Sequence, residues 1–208
     1  MLLNDFGEPV APEEFAEKQL DLRAPLLLAS PNTSLKNVPE DWCGIIYTTR
    51  RVIKESKDLS LLKSASPKRI GELEENKPTE IRLPNGSRIS ITPFSWSIGR
   101  QETKLIFLLK DEYITRICID VLANTLNSII SNNVLRKAIK EGVDVVHLND
   151  SFAIGANPRD PKIHHTWFRL HLLIYLIRPK KICGLHETTL PRYIIESCNK
   201  PDINRFAY

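Results

Sequence analysis

Two short segments of the sequence place a histidine beside an acid. They are His147-Leu148-Asn149-Asp150-Ser151 and His186-Glu187-Thr188-Thr189. A histidine that is oriented by a carboxylate can act as a general base, which makes these segments the candidate catalytic site. The candidate catalytic residues are His147, Asp150, His186 and Glu187. The same residue types also cap helices, and capping explains their presence without a substrate, so both interpretations stay open.

A metal site is a second candidate. Cys183 and His186 have the spacing of a Cys-x-x-His ligand pair, and His171 and Cys198 lie on either side of that pair. Four such ligands would form a closed structural zinc site. Cysteine and histidine in an apolar strand or helix are more often core residues. We therefore expect no cofactor, with zinc as the alternative, and reduced thiols throughout.

Charge is distributed unevenly along the chain. Residues 1–40 carry seven acids and three bases, whereas residues 151–208 carry four acids and nine bases. A basic segment can contact phosphates or an acidic protein surface. The predicted nucleic-acid contacts are Arg159, Arg178, Lys180 and Lys181. The last three lie beside a proline at the end of a predicted helix, where side chains usually reach solvent. The acidic segment is expected to engage a neighbour, including a second copy of the chain.

The composition narrows the class of protein. With 208 residues, of which 42% are hydrophobic and 26% charged, the sequence is typical of a folded globular chain and not of a disordered one. The longest apolar run, Leu172 to Ile177, is far shorter than the roughly 20 residues that span a bilayer. The N-terminal residues match neither a signal peptide nor a transit peptide. The sequence therefore predicts an intracellular, by default cytoplasmic, protein with no membrane span.

Local patterns predict the elements that would position these residues. Alternating residues around Asn85-Gly86 predict a β-hairpin over 80–91, and apolar runs predict strands at 45–49, 103–110, 143–148 and 181–185. Apolar spacing and capping residues predict helices at 11–20, 111–132, 134–141, 162–178 and 191–199. Prolines between Ala24 and Asp41 predict an extended arm, and residues 21–41 are expected to be disordered alone or ordered only against a partner.

The order of these elements defines a fold class. Strands alternate with helices from residue 103 onward, which is typical of a parallel α/β arrangement with right-handed crossovers. The prediction is one α/β domain with a mixed sheet: a parallel α/β C-terminal half, an N-terminal β-hairpin and an extended N-terminal arm. The predicted boundaries are 1–42 for the N-terminal helix and arm and 43–208 for the domain.

One segment resembles a known family. Residues 143–193, with Asp-Val-Val-His before one loop and Gly-Leu-His-Glu after the next strand, resemble the amino-terminal half of two-domain sugar-nucleotide glycosyltransferases. The resemblance covers about a quarter of the chain. It implies an α/β crevice lined by polar strand ends. The chain departs from the family in lacking a glycine-rich first turn.

Three functions follow from these observations. The leading expectation is a non-catalytic binding or assembly protein that contacts RNA or another large polyanion through its basic C-terminal quarter. The first alternative is a small α/β enzyme of glycosyltransferase type, with its crevice at the carboxyl ends of the strands. The second alternative is a structural subunit of a larger assembly, held through the acidic N-terminal arm.

Overall fold

The computed structural model describes residues 1–33, 35, 37–56, 69–96, 103–120, 129–155, 160–186, 190–196 and 198. The chain divides into two compact units, Met1–Tyr113 and Ile114–Tyr208. Strands on both sides of residue 42 belong to one sheet of the first unit. Parallel strands and helices are present in each unit, which confirms the α/β class.

Unit 1 contains a five-stranded sheet with the order β2-β1-β3-β4-β5. Its strands are β1 (Leu2–Leu3), β2 (Pro9–Val10), β3 (Leu26–Leu27), β4 (Ile46–Thr49) and β5 (Ile70–Leu73). Strand β1 runs antiparallel to both of its neighbours, whereas β3, β4 and β5 are parallel. Helix α1 (Arg50–Glu55) begins directly after β4. The sheet is therefore mixed, with the predicted strand at 45–49 at the centre of its parallel part.

The predicted N-terminal arm is part of this sheet. Its residues are extended, as predicted, but β3 pairs with β1 on one side and β4 on the other. Leu26, Leu27 and Leu28 are at most 1% exposed. The expectation that this segment orders only against a partner is wrong for these residues, because apolar side chains that are buried on both faces of a sheet belong to the core.

An antiparallel meander completes unit 1. It consists of β6 (Thr79–Arg82), β7 (Arg88–Trp96) and β8 (Lys104–Lys110). The turn between β6 and β7 contains Gly86 at φ 90°, and the Asn85 side chain accepts the Ser87 N–H at 2.9 Å. The predicted hairpin is confirmed, since glycine supplies the positive φ that its turn requires. The backbone N–H of Leu105 donates to the Ala29 carbonyl at 2.8 Å and links β8 to the segment after β3.

Unit 2 contains three parallel strands, β9 (Thr115–Ile119), β10 (Val145–Leu148) and β11 (Lys181–Gly184), in the order β11-β10-β9. Helix α2 (Asn133–Glu141) connects β9 to β10, and helix α3 (Pro161–Ile177) connects β10 to β11. A short helix α4 (Arg192–Ile195) follows. The predicted parallel arrangement is confirmed for the strands at 143–148 and 181–185. The predicted strand at 103–110 was expected to belong to it, but that strand is β8 and pairs antiparallel with β7.

The two long helices begin where the sequence provides capping residues. The Asn132 side chain accepts the Leu135 N–H at 3.0 Å, and the Asp160 side chain accepts the Lys162 N–H at 2.8 Å. Each bond satisfies a backbone donor that has no partner within the first turn of its helix.

Two predicted helices are wrong over most of the residues that the structure describes. The predicted helix 111–132 contains β9, whose last four residues are buried; residues 121–128 lie outside the described residues. A strand buried on both faces is apolar at nearly every position, so its residues also fit a helical spacing. The predicted helix 11–20 is a single 3-10 turn, Pro12–Glu14, because so short a segment gains too little from burial to propagate a helix.

Among the described residues, none of the helices is both long enough and apolar enough to cross a membrane.

Candidate functional site

The three parallel strands of unit 2 end at a common edge. His147 of β10 lies opposite Cys118 of β9 and Cys183 of β11, so the three strands are in register. The residues that follow the strands are therefore neighbours at their carboxyl ends. This edge is where open α/β sheets bind ligands. Its polar residues are Asp120 after β9, Asn149 and Asp150 after β10, and His186 after β11.

Asp150 holds the end of β11 in place. Its side chain is completely buried, and its Oδ1 accepts the backbone N–H of His186 at 2.7 Å. Gly184 makes room for this carboxyl group, since a Cβ at that position would overlap the Asp150 side chain. The Asp150 carbonyl also accepts the Ala153 N–H at 2.8 Å. Asp150 is thus a positioning residue that fixes the backbone of His186.

Asp120 and Asn149 form the second polar contact of this edge. The amide Nδ2 of Asn149 donates to Oδ1 of Asp120 at 2.9 Å, and Oδ1 of Asn149 accepts the Ser151 N–H at 3.1 Å. Both side chains are half-buried. Oδ2 of Asp120 and the second amide hydrogen of Asn149 have no partner among the described residues. The contact therefore presents one acceptor and one donor to a ligand.

The two candidate histidines have different surroundings. His186 is half-buried at the edge, and within the described part of the chain no carboxylate bonds to its imidazole. His147 lies inside β10, is 7% exposed, and its Nε2 has no hydrogen-bond partner among the described residues. Burial, together with the charges of Arg116 and Lys181, lowers the pKa of His147 to about 4. His147 is therefore a neutral buried residue, and Glu187 lies outside the described residues.

The predicted pairing of His186 with Glu187 stays a prediction, because Glu187 lies outside the described residues. The Asp150 carboxylate accepts the backbone N–H of His186, which is the local bonding that short polar side chains form at strand and helix ends. What remains at the edge is one imidazole, one carboxylate and one carboxamide, from His186, Asp120 and Asn149. This set can bind hydroxyl groups.

The basic cluster lies near the opposite ends of the strands, and its members differ. Arg178 is buried, although the sequence predicted that it reaches solvent. It is the residue directly after α3, at φ 50°, and its guanidinium carbon lies 5.0 Å from the Tyr175 ring centroid. Lys180 pairs with Asp144 at 2.7 Å, and this bond, together with the Thr115 N–H, lowers the pKa of Asp144. Lys181 is exposed.

Arg159, the fourth predicted contact, lies outside the described residues. The exposed described bases of the cluster are therefore Lys180 and Lys181. Polyanion binding through this surface stays a prediction.

The four predicted zinc ligands are His171 on α3, Cys183 on β11, and His186 and Cys198. All four are described, and within the described residues no three His, Cys, Asp or Glu side chains are placed to hold one metal ion. Burial raises the pKa of Cys198, which disfavours the thiolate that binds metal. The structure does not bring this set together.

Sequence reasoning missed two residues of the edge. Asp120 was assigned to the predicted helix 111–132, which concealed its position at the end of a strand. Gly184 was read only as a strand residue. Its signal is a glycine at the last position of a strand, where a close approach by another side chain is the usual reason for the missing Cβ.

Comparison with known proteins adds no family to this description. The chain matches no protein-family model, and no curated protein matches it. The resemblance of residues 143–193 to glycosyltransferases therefore depends on those residues alone.

Proposed function

We propose that the carboxyl edge of β9, β10 and β11 binds a small, hydroxyl-rich ligand of the saccharide class. The observation that carries the proposal is the set of unused hydrogen-bonding atoms on Asp120, Asn149 and His186, at the ends of three parallel strands in register. Sugar hydroxyls both donate and accept, so they complement a carboxylate oxygen, an amide hydrogen and an imidazole at once.

Asp150 supports this site without contacting the ligand. Its buried carboxylate fixes the main chain at His186, which limits the positions that the imidazole can occupy. A binding group that is held before the ligand arrives loses less conformational entropy on binding. The resemblance of residues 143–193 to glycosyltransferases favours a saccharide over other hydroxylated molecules.

Isothermal titration of the full chain with glucose, maltose and a sugar nucleotide tests the proposal. Asp120→Asn keeps Oδ1 as the acceptor for Asn149 but replaces the unused Oδ2 by an amide. We expect this change to weaken binding about tenfold, the usual cost of losing a hydrogen bond to a charged group. Glu13→Ala, an exposed acid of unit 1, is the control and should leave binding unchanged. Failure of all three compounds to bind at millimolar concentration would overturn the proposal, as would unchanged binding by Asp120→Asn.

Polyanion binding is the second candidate, favoured by the exposure of Lys180 and Lys181 at the start of β11. Lys181→Glu tests it, because Lys181 is exposed and its replacement leaves the Lys180 pair with Asp144 intact. The variant should elute from heparin at lower salt. The slope of log affinity against log salt concentration should fall by about one, the value expected for one lost phosphate contact. Lys137→Glu, an exposed base on α2, is the control. Identical elution of Lys181→Glu and wild type would remove this candidate.

A further inference from the structure

A second carboxyl edge, in unit 1, carries an open cleft. The cleft has a volume of about 600 Å³ and lies where the neighbouring parallel strands β4 and β5 end. That volume is in the range of sites for small ligands. Its lining includes Thr49, Arg50 and Lys54 from the end of β4 and from α1, and Glu72, Glu74 and Glu75 from the end of β5. Bases thus line one side of the cleft and acids the other.

Thr49 is the residue that sets this cleft apart from an ordinary charged surface. It is 1% exposed, and its hydroxyl has no hydrogen-bond partner among the described residues. The hydroxyl of Thr48, one residue earlier, donates to the Leu28 carbonyl at 2.8 Å. Buried hydroxyl groups are nearly always bonded, so the Thr49 hydroxyl is available to bond to a polar group that enters the cleft.

The bases of the cleft can turn toward a ligand at little cost. Arg50 pairs with Glu72 at 3.2 Å, and the two side chains are 73% and 50% exposed. Exposed pairs of this kind contribute little to stability, so replacing Glu72 by a ligand phosphate is not opposed by a strong bond. Lys54 is exposed one helical turn further along α1. Guanidinium and ammonium groups are the side chains that bind phosphate most strongly.

The acids on the other side are suited to hydroxyl groups. Glu75 accepts a hydrogen bond from the Ser95 hydroxyl, and Glu74 pairs with Lys77 at 2.6 Å. Each carboxylate can accept further hydrogen bonds. Nucleotide sites of α/β proteins place phosphate after one strand and an acid that binds sugar hydroxyls after the next. The segment Thr49-Arg50-Arg51 contains no glycine, so here side chains, not a glycine-rich turn, would hold the phosphate.

We propose that this cleft binds a phosphate monoester carried on a hydroxylated ring. Arg50, Lys54 and the Thr49 hydroxyl contact the phosphate, and Glu74 and Glu75 accept hydrogen bonds from the ring hydroxyls. Sugar phosphates and mononucleotides share this chemistry. The site is independent of the one proposed in unit 2.

Isothermal titration of the full chain with glucose 6-phosphate, adenosine monophosphate, glucose, adenosine and inorganic phosphate tests the inference. At least one of the two phosphate esters should bind ten times more tightly than both its own unphosphorylated ring and inorganic phosphate. The ester that binds identifies the source of the ring. Equal binding of inorganic phosphate and both esters would overturn the role of the acids, and failure of both esters to bind would overturn the site.

Variants locate the binding. Arg50→Gln with Lys54→Gln should weaken binding of the ester at least tenfold, whereas Arg88→Gln, an equally exposed base on β7, should leave it unchanged. Asp120→Asn should also leave it unchanged, which separates this inference from the proposed function of unit 2. Ester binding that survives the double change, or that is lost in Asp120→Asn, would overturn the assignment.

Thr49→Val distinguishes a contact with the ligand from a purely structural role of Thr49. Valine has a similar shape but no hydroxyl, so the unliganded protein should keep or raise its Tm, since no hydrogen bond is lost. Affinity for the ester should fall several-fold. A lower Tm without ligand, or an unchanged affinity, would contradict the role given to Thr49.

Discussion

The two carboxyl edges of this protein use polar residues in opposite ways. After β10 and β11, short side chains bond to one another and to the main chain, and Asp150 is completely buried. After β4 and β5, long charged side chains form pairs that are largely exposed, such as Arg50 with Glu72. The first edge is therefore part of the fold, whereas the second is a surface on which groups can be exchanged.

This difference separates positioning from contact. A buried carboxylate that accepts a backbone N–H cannot be removed without leaving that donor unpaired, so the cost appears as lost stability. An exposed ion pair contributes little to the stability of the fold, so its removal should change ligand affinity alone. Polar residues at equivalent places in the two α/β units thus predict different experimental phenotypes.

The largest effect is expected from Gly184→Ala. The added Cβ would overlap the Asp150 carboxyl group, which is buried and bonded to the His186 N–H. We expect the free energy of unfolding in urea to fall by about 1–3 kcal/mol, the usual cost of overpacking.

A double-mutant cycle with Asp150→Ala shows whether this overlap is the cause. Asp150→Ala removes the group that the new methyl meets, so the double variant should lose less stability than the sum of the single losses. Additive losses would mean that Gly184 is required for some reason other than the Asp150 carboxyl group.

The next effect concerns the pH dependence of stability at His147. Burial, then Arg116 and Lys181, lower its pKa to about 4 from an ordinary value of 6.5. Between these values the unfolded chain binds a proton that the folded chain does not. Stability therefore falls as the pH drops from about 6.5 toward 4 and changes no further below that range. The expected contribution between pH 7 and pH 5 is about 2 kcal/mol.

Urea unfolding of wild type and His147→Gln at both pH values isolates this contribution. The wild type should lose about 2 kcal/mol more than the variant, because the variant has no imidazole to protonate at this position. His165→Gln, an exposed histidine on α3, should behave as wild type. Equal losses in wild type and His147→Gln would show that His147 is not held neutral by burial.

The smallest effect is expected at the edge of unit 1. Glu72→Gln breaks an ion pair whose two side chains are 73% and 50% exposed, so the free energy of unfolding should change by less than about 1 kcal/mol. Chemical denaturation at low salt, where such pairs are strongest, gives the upper limit of this change in the free energy of unfolding. A larger loss would show that this edge is built into the fold in the same way as the edge of unit 2.

The parallel strands of unit 2 could largely be predicted from sequence, but the structure of its edge could not. β10 and β11 are compact apolar segments followed by polar residues, and that pattern is visible in one dimension. β9 was missed because Ile117, Cys118 and Ile119 are all buried, and a fully buried strand has no alternation to distinguish it from a helix. The bond from Asp150 to the His186 N–H joins two strands, and no local pattern encodes it.

Of the two strands that form the edge of unit 1, the sequence predicted β4 but not β5. Residues 54–76 alternate in charge with a weak helical spacing, so β5 at Ile70–Leu73 was not recognised as a strand. Without β5, the sequence does not place Glu72, Glu74 and Glu75 at the end of a strand. The burial of Arg178 was missed for a related reason: a base beside a proline usually reaches solvent, and packing on Tyr175 is a tertiary contact.

The place of β3 between β1 and β4 has a consequence for the order in which unit 1 folds. Its sheet joins segments that are far apart in the sequence, whereas β6 and β7 are joined by the Asn85-Gly86 turn. Closing long loops slows folding, and short hairpins form within microseconds. We therefore expect the amides of β6 and β7 to be protected from hydrogen exchange earlier than those of β3 in a pulse-labelling experiment. Until β3 is in place, the edges of β1 and β4 that later pair with it have no partner strand. During that interval unit 1 is most exposed to strand exchange between chains.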